Sequence, residues 1–348
     1  MNRTLATVAF VPREQFSTTQ RCLDRLLRST PAPYDLVCID GGSPPEVRDY
    51  LERMAHERDF TLVRTSRYLT PNQARNLALP HVRTPYVVFV DNDVLVTENW
   101  LQPLVDCAEQ TGAWVVGPLY FEFEPECQRI HMFGGECRIE SRQDGRRDYV
   151  ERHHVAHQLL AEVGQPLRRQ ETELIEFHTV LVAMEAFRQL GPLDEGLLCN
   201  AEHGDLCLMV RQAGHRVFLE PDSRITYAPP KSLHGADLEY FQLRWSDSWA
   251  RATSDHLARK WNLATDAPGV RESIKWVGGH RRYSLPWLNK LRRQIGNRWA
   301  SKVERYLVAP WESAANRRQF PLSQWGSAGQ VSPKVVHSPV NQVPMRAA

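Results

Sequence analysis

Short unbroken apolar runs alternate with stretches of helical period over the first third of the chain. Residues 4–11 (TLATVAFV) form such a run and end at Pro12; STTQRCLDRLLRS (17–29) then brings Cys22, Leu23, Leu26 and Leu27 to one side of a helix. YDLVCID (34–40) is a second run, ending in the turn GGSPP, and EVRDYLERMAHE (46–57) follows with helical spacing. FTLVRT (60–65) is a third run, and TPNQARNLAL (70–79) a short helix with Pro71 in the favoured first turn. YVVFVDND (86–93) is the fourth. TENWLQPLVDCAEQTG (97–112) reads as a helix with Thr97 as its cap and Gly112 as its stop, and WVVGPL (114–119) is a fifth strand. Strands this apolar, separated by helices, predict an α/β fold whose parallel sheet is covered on both faces.

The pattern then changes. Residues 118–175 are irregular, polar and rich in Arg and His, and read as insertions around a site rather than as core. Core patterning resumes with ELIEFHTVLVAMEAFRQLGPLDEGL (173–197), and NAEHGDLCLMVRQAGHRVFLEP (200–221) reads as a helix stopped by Gly214 and then a strand. Beyond about residue 236 the chain is helical and amphipathic. The last stretch, GSAGQVSPKVVHSPVNQVPMRAA, holds three prolines and little core material, so a disordered tail is expected. The expected organisation is a catalytic domain over 1–235 with halves 1–117 and 118–235, a helical extension over 236–322, and a tail over 323–348. No internal repeat is visible.

Bulk properties narrow the class. With 42% hydrophobic and 24% charged residues the chain is of ordinary globular composition, and no stretch approaches the apolar length of a membrane span. The N-terminal apolar run is too short for a signal peptide, and the seven cysteines, an odd number without CxxC spacing, read as reduced thiols. A cytoplasmic protein is therefore expected. Its charge is uneven: from Ala264 onward fourteen Lys or Arg stand against four acids, about +10 in an overall +2, and five of the ten tryptophans fall there.

Ligands of such sheets bind at the carboxyl ends of the strands. That rule puts Asp40, ending the second strand, and Asp91-Asn92-Asp93, ending the fourth, in one crevice. Carboxylates placed there suit a hard divalent cation shared with substrate phosphates. A plain turn, which Asp and Asn also favour, is the alternative. Spacing alone reaches a phosphate–metal site in an α/β protein.

The motifs in order go further. The first apolar strand, the Asp before GGS, NQARNLAL, VVFVDNDV, LGPLDEGL and EHGDLCLMVRQAGHRVFLEP together resemble an inverting family 2 glycosyltransferase of the GT-A fold, over roughly residues 5–235. That resemblance implies a nucleotide-diphospho-sugar transferase-like, Rossmann-like, mostly parallel sheet flanked by helices, with a helical C-terminal extension. It implies that Pro12, Asp40, Asn72, Arg75, Asn76, Asp91 and Asn92 line a nucleotide-sugar site. Asp91 and Asp93 would be the DXD motif, with Asp93 binding Mn2+ or Mg2+ directly, and His234 lies where family members often supply a further ligand. An acceptor hydroxyl would attack the anomeric carbon with inversion, assisted by a carboxylate base. The family's usual pattern for that base is Glu-Asp-x-Asp, whereas this chain has Glu202-His203-Gly204-Asp205. Glu202 is the first choice, Asp205 and His203 follow, and a role as helix N-terminal acids is the alternative. Asp194 and Glu195 would organise the loop before the base, GGEC (134–137) is a turn near the acceptor or simply a turn, and the pair His153–His154 reads as surface charge rather than a metal site.

A UDP-sugar donor is favoured, with a glycan, a lipid-linked molecule or another hydroxyl compound as acceptor. The basic, Trp-rich segment LPWLNKLRRQIGNRWASKVERYLVAPW could lie on a membrane's inner face, with Trp at headgroup level. The plainer expectation packs its tryptophans on the catalytic body. No nucleic-acid recognition motif accompanies the charge. Two rivals remain: a sugar-nucleotidyltransferase, against which the glycine-free VPREQFST counts, and a nucleotide-sugar-binding protein that has lost its base.

Overall fold

A computed structural model describes residues 4–12, 15–229, 232–264, 266–325 and 332–339. The alternating first third becomes β1 (Ala6–Val11), α1 (Thr19–Ser29), β2 (Asp35–Gly41), α2 (Pro45–Arg58), β3 (Thr61–Thr65), α3 (Pro71–Ala78), β4 (Tyr86–Asp91), β5 (Val94–Val96), α4 (Leu101–Thr111) and β6 (Val115–Glu122). The following segment supplies β7 (Arg129–Met132), β8 (Gly135–Ser141), β9 (Arg147–His153), β10 (Gln170–Glu171), β11 (Thr179–Ala183), α5 (Met184–Leu190), α6 (Glu202–Gln212) and β12 (Val217–Tyr227). Six helices follow: α7 (Gly235–Arg244), α8 (Asp247–Trp261), α9 (Pro268–Arg281), α10 (Pro286–Val303), α11 (Ala309–Gln319) and α12 (Leu322–Trp325), before a last strand, β13 (Lys334–His337).

One large sheet runs β10-β12-β6-β11-β4-β1-β2-β3-β13. The first four strands in sequence pair in parallel, β3-β2-β1-β4, and β1 and β4 are buried or nearly so at every position, as runs without alternation require. Beyond β4 the sheet is mixed, because β11 pairs antiparallel with both β4 and β6. Helix α3 is set by a capping box, Thr70 and Gln73 exchanging side-chain and backbone bonds. Gly112 ends α4 in the left-handed region as expected, but Thr97 is not its cap: its hydroxyl donates to the Arg224 carbonyl, and the helix starts only after Trp100.

Two expectations are corrected. The segment 118–175 is not irregular throughout, since β8 and β9 form a separate two-stranded antiparallel sheet beside α6. The tail is not wholly disordered: β13 pairs antiparallel with β3 and covers that edge of the sheet, while 326–331 and 340–348 lie outside the described residues. The helical extension is welded to the body by its first two helices, with Tyr240, Leu243, Trp245 and Trp249 buried in a second core that also takes Phe16 and Leu198. Its later helices are different. Trp299, Tyr306 and Trp311 are 61–67% exposed, so these rings do not pack on the body. Among the described residues no helix is long and apolar enough to cross a membrane.

Candidate active site

Strand β4 carries Asp91 to the carboxyl end of the sheet, and Asp93 follows two residues on. Asp91 is its last residue, and its backbone N–H donates to the His178 carbonyl at 3.0 Å, so the residue before β11 sits against the end of β4. Asp91, Asp93 and His178, all buried, each offer a ligand atom within 4.8 Å of the others. Two carboxylates and one imidazole suit Mn2+ at least as well as Mg2+, because nitrogen ligands favour transition metals. His178 is fixed by stacking on Tyr227 (centroids 4.2 Å apart), at the end of β12.

Arg75 holds the first carboxylate in place. Its guanidinium donates to Asp91 Oδ1 at 2.9 Å and to the Phe177 carbonyl, and lies 4.4 Å over the Phe177 ring. Both members of the pair are buried, so neither could be removed alone without leaving an uncompensated charge. Asn92 points elsewhere: its amide donates to the Gln15 carbonyl and the Thr19 hydroxyl, tying the turn to the start of α1. Asp40 is the penultimate residue of β2, and a methyl group on Gly41 beside it would meet the Pro12 ring at 3.1 Å. Arg64 donates to Asp40 Oδ2 at 2.7 Å and the Ser43 N–H to Oδ1 at 3.0 Å.

Asn72 and Asn76 engage the loop after α5. Asn72 donates to the Asp194 carbonyl, and Asn76 donates to the Leu193 carbonyl and Glu195 while accepting the Leu193 N–H. Asp194 and Glu195 thus organise that loop, as expected from LGPLDEGL.

The triplet at the start of α6 divides. Glu202 is buried in an ion pair with Arg244 of α7 (3.3 Å), and Asp205 accepts from Lys260 (2.7 Å) and from the Trp261 ring N–H (2.8 Å) of α8. Burial still holds the Asp205 carboxyl above its ordinary value. Both carboxylates therefore face the helical extension, and the structure does not bring them to the Asp91–Asp93–His178 trio. Only His203 turns inward. Its Nε2 lies 3.2 Å from Glu151 Oε1, and its Nδ1 lies 3.8 Å from Glu176 Oε2. Burial disfavours the charged imidazole, but Glu176 and Glu151 outweigh it and hold the His203 pKa well above the ordinary value, as a cation at neutral pH. Glu176 and Glu151 are in turn held below the usual carboxylate range, where His203 overcomes the opposing effect of burial.

His131 links this cluster to the trio. Its Nε2 lies 3.8 Å from Glu176 Oε1, its ring packs edge-on against His178 at 5.2 Å, and despite burial its contacts to Glu122 and Glu176 raise it to about 9. His153 is not surface charge, since its Nε2 lies 3.3 Å from Glu151 and 3.6 Å from Glu176; His154 is exposed. His234, expected among the metal ligands, is exposed and contacts Ser232, and His178 stands in the trio instead. Sequence reading missed Glu176 and His178 because EFH opens an apolar run that looks like core. The available signal was two titratable residues at i and i+2 just before a strand, where alternation points both to one side.

The fold is the GT-A glycosyltransferase architecture. The Glycosyl transferase family 2 model matches residues 13–159, so the resemblance carried by NQARN and VDND holds over the segment that contains both motifs. The chain is 29% identical over 102 residues to EpsJ, an uncharacterized glycosyltransferase of Bacillus subtilis (strain 168), which is 28% of each chain. Among solved structures it resembles GalNAc-T7 with UDP, GalNAc and Mn2+ (TM-score 0.51, 17% identity, covering 82% of this chain and 57% of that one). It also resembles the mannosyltransferase PcManGT from Pyrobaculum calidifontis in complex with GDP-Man and Mn2+ (TM-score 0.49, 15% identity, 91% and 85%). The chain thus spans 28% of the curated relative and 57% of the first structure.

Proposed function

We propose that this protein is an inverting glycosyltransferase that moves a sugar from a nucleotide-diphosphate donor, a UDP-sugar by preference, to an acceptor hydroxyl. The observation that carries the reading is the convergence of Asp91, Asp93 and His178 at the end of β4, with Arg75 locking Asp91. These three residues would hold Mn2+ or Mg2+, which would supply Lewis-acid neutralisation of a leaving diphosphate. Asp40 and Pro12, at the ends of neighbouring strands, would flank the nucleotide.

Glu202 and Asp205 are engaged by the extension, so the proton of the acceptor hydroxyl goes to Glu176. That carboxylate is kept ionised between His131 and His203, and its place two residues before His178 connects it to the trio. Its case is positional: the ionised carboxylate can accept a proton, but its lowered pKa makes it a weaker base than an ordinary glutamate. A second reading, donor binding without transfer, is favoured by His203: an imidazole already carrying its proton stands where the family supplies a base.

Turnover of UDP-sugars is measured with and without EDTA for the wild type, Asp93→Asn and Glu176→Gln. The expected result is metal-dependent turnover that falls to background in Asp93→Asn. In Glu176→Gln it drops by ~10²–10⁴ with donor affinity retained. Turnover indifferent to both EDTA and Asp93→Asn would overturn the reading, and donor binding without turnover in the wild type would establish the second one.

Helices α9 to α11 are proposed to rest on an anionic lipid surface, which suits a lipid-linked acceptor. Supporting this, residues 268–319 carry twelve Lys or Arg against three acids, and Trp276, Trp287, Trp299, Tyr306 and Trp311 among them are exposed.

A further inference from the structure

We propose that Glu151, His153 and His203 form a second cation site, of the zinc type, separate from the Asp91–Asp93–His178 trio. Each offers a ligand atom within 4.8 Å of the other two. The geometry is specific. Both imidazoles aim Nε2 at the same oxygen, Glu151 Oε1, at 3.3 Å from His153 and 3.2 Å from His203. Charge-assisted N–H···O bonds settle at about 2.7–2.9 Å, so these contacts are long for ion pairs. They match the edge of a zinc-centred tetrahedron, about 3.3 Å for metal–ligand bonds of about 2.0–2.1 Å. Three protein ligands leave the fourth position of such a site to water.

The outer contact is of the kind that metal sites use to aim their ligands. The Tyr149 hydroxyl donates to Glu151 Oε2 at 2.5 Å, leaving Oε1 to point inward. The ligands also stand on regular elements. Glu151 and His153 alternate along β9 and so share a face, while His203 comes from the first turn of α6. Gly204 permits that approach, since a methyl group there would meet the Tyr149 hydroxyl oxygen at 2.0 Å. Two imidazoles with one carboxylate select Zn2+ or Co2+ over Mg2+, whereas the trio is richer in oxygen.

The site does not depend on glycosyl transfer and is tested without it. Full-length protein, stripped with a chelator, is titrated with zinc chloride by calorimetry in an Asp93→Asn background, which disables the trio. The expected result is one equivalent bound, weakened at least ~10-fold by adding His153→Asn or His203→Asn, and to a smaller degree by Tyr149→Phe. Cobalt at the same site should give the strong visible absorption of four-coordinate geometry, lost in the His153→Asn variant. Melting temperatures without metal identify any variant that fails to fold, and either histidine variant suffices if the other does. No uptake in the Asp93→Asn background, or uptake unchanged by both histidine substitutions, would overturn the proposal.

Discussion

Asp194 receives Lys260 Nζ and His256 Nε2, both at 2.9 Å, and the Gly196 N–H at 3.0 Å. These bonds outweigh burial and lower its carboxyl from 3.8 to about 2. A folded-state value below the ordinary one means that folding favours the ionised form. The resulting stability is present above pH 3.8 and declines as pH falls towards about 2. Asp194→Asn should therefore cost about 1–2 kcal/mol at neutral pH, allowing for partial exposure, and progressively less below about pH 4. Paired melting curves across that range check it, and a pH-independent difference would refute the assignment. The same residues mark the limit of sequence legibility at this scale. Asp91 and Asp93 were readable because a buried apolar run ends on them. Glu202 and Asp205 were readable as carboxylates, but not their partners: Arg244, Lys260 and Trp261 lie 42 to 56 positions downstream, beyond any local pattern.

Helix α6 and strand β9 show what an element contributes that its residues do not. They approach so closely that Gly204 is the sole size tolerated beside Tyr149 and Cys137. Gly204→Ala should push the Tyr149 ring off Glu151 and destabilise the protein by about 1–3 kcal/mol, as overpacked sites do, although alanine is the better helix former. Thermal denaturation of that variant decides it; an unchanged or raised melting temperature would show that β9 can retreat. Strands β1 to β4 and helices α1 to α3 were legible because each is defined by its own period. Strands β8 and β9 were not, because half of their residues are charged and only three of the fourteen are buried, Cys137 and Tyr149 among them joining the main core.

For the whole molecule, the parallel half of the sheet followed from its apolar runs, whereas the antiparallel insertion of β11 between β4 and β6 depends on pairings that no single segment encodes. The uneven charge was also visible, but whether the tryptophans faced the body or the solvent was not. Their exposure gives a measurable consequence. The protein should bind phosphatidylserine-containing vesicles and not neutral ones, with binding weakened by salt and reduced roughly 10-fold by Trp299→Ala with Trp311→Ala. Sedimentation with vesicles tests this, and equal binding by that double variant would remove the lipid surface from consideration.

The bonds from Arg244 to Glu202 and from Lys260 to Asp205 cross the boundary at residue 235 that the sequence suggests. A chain cut there would remove the helices that pair and cover both carboxylates and would open the second core, with Phe16 and Leu198, to water. What reads as an appendage is a keystone, and the two portions must have been shaped together.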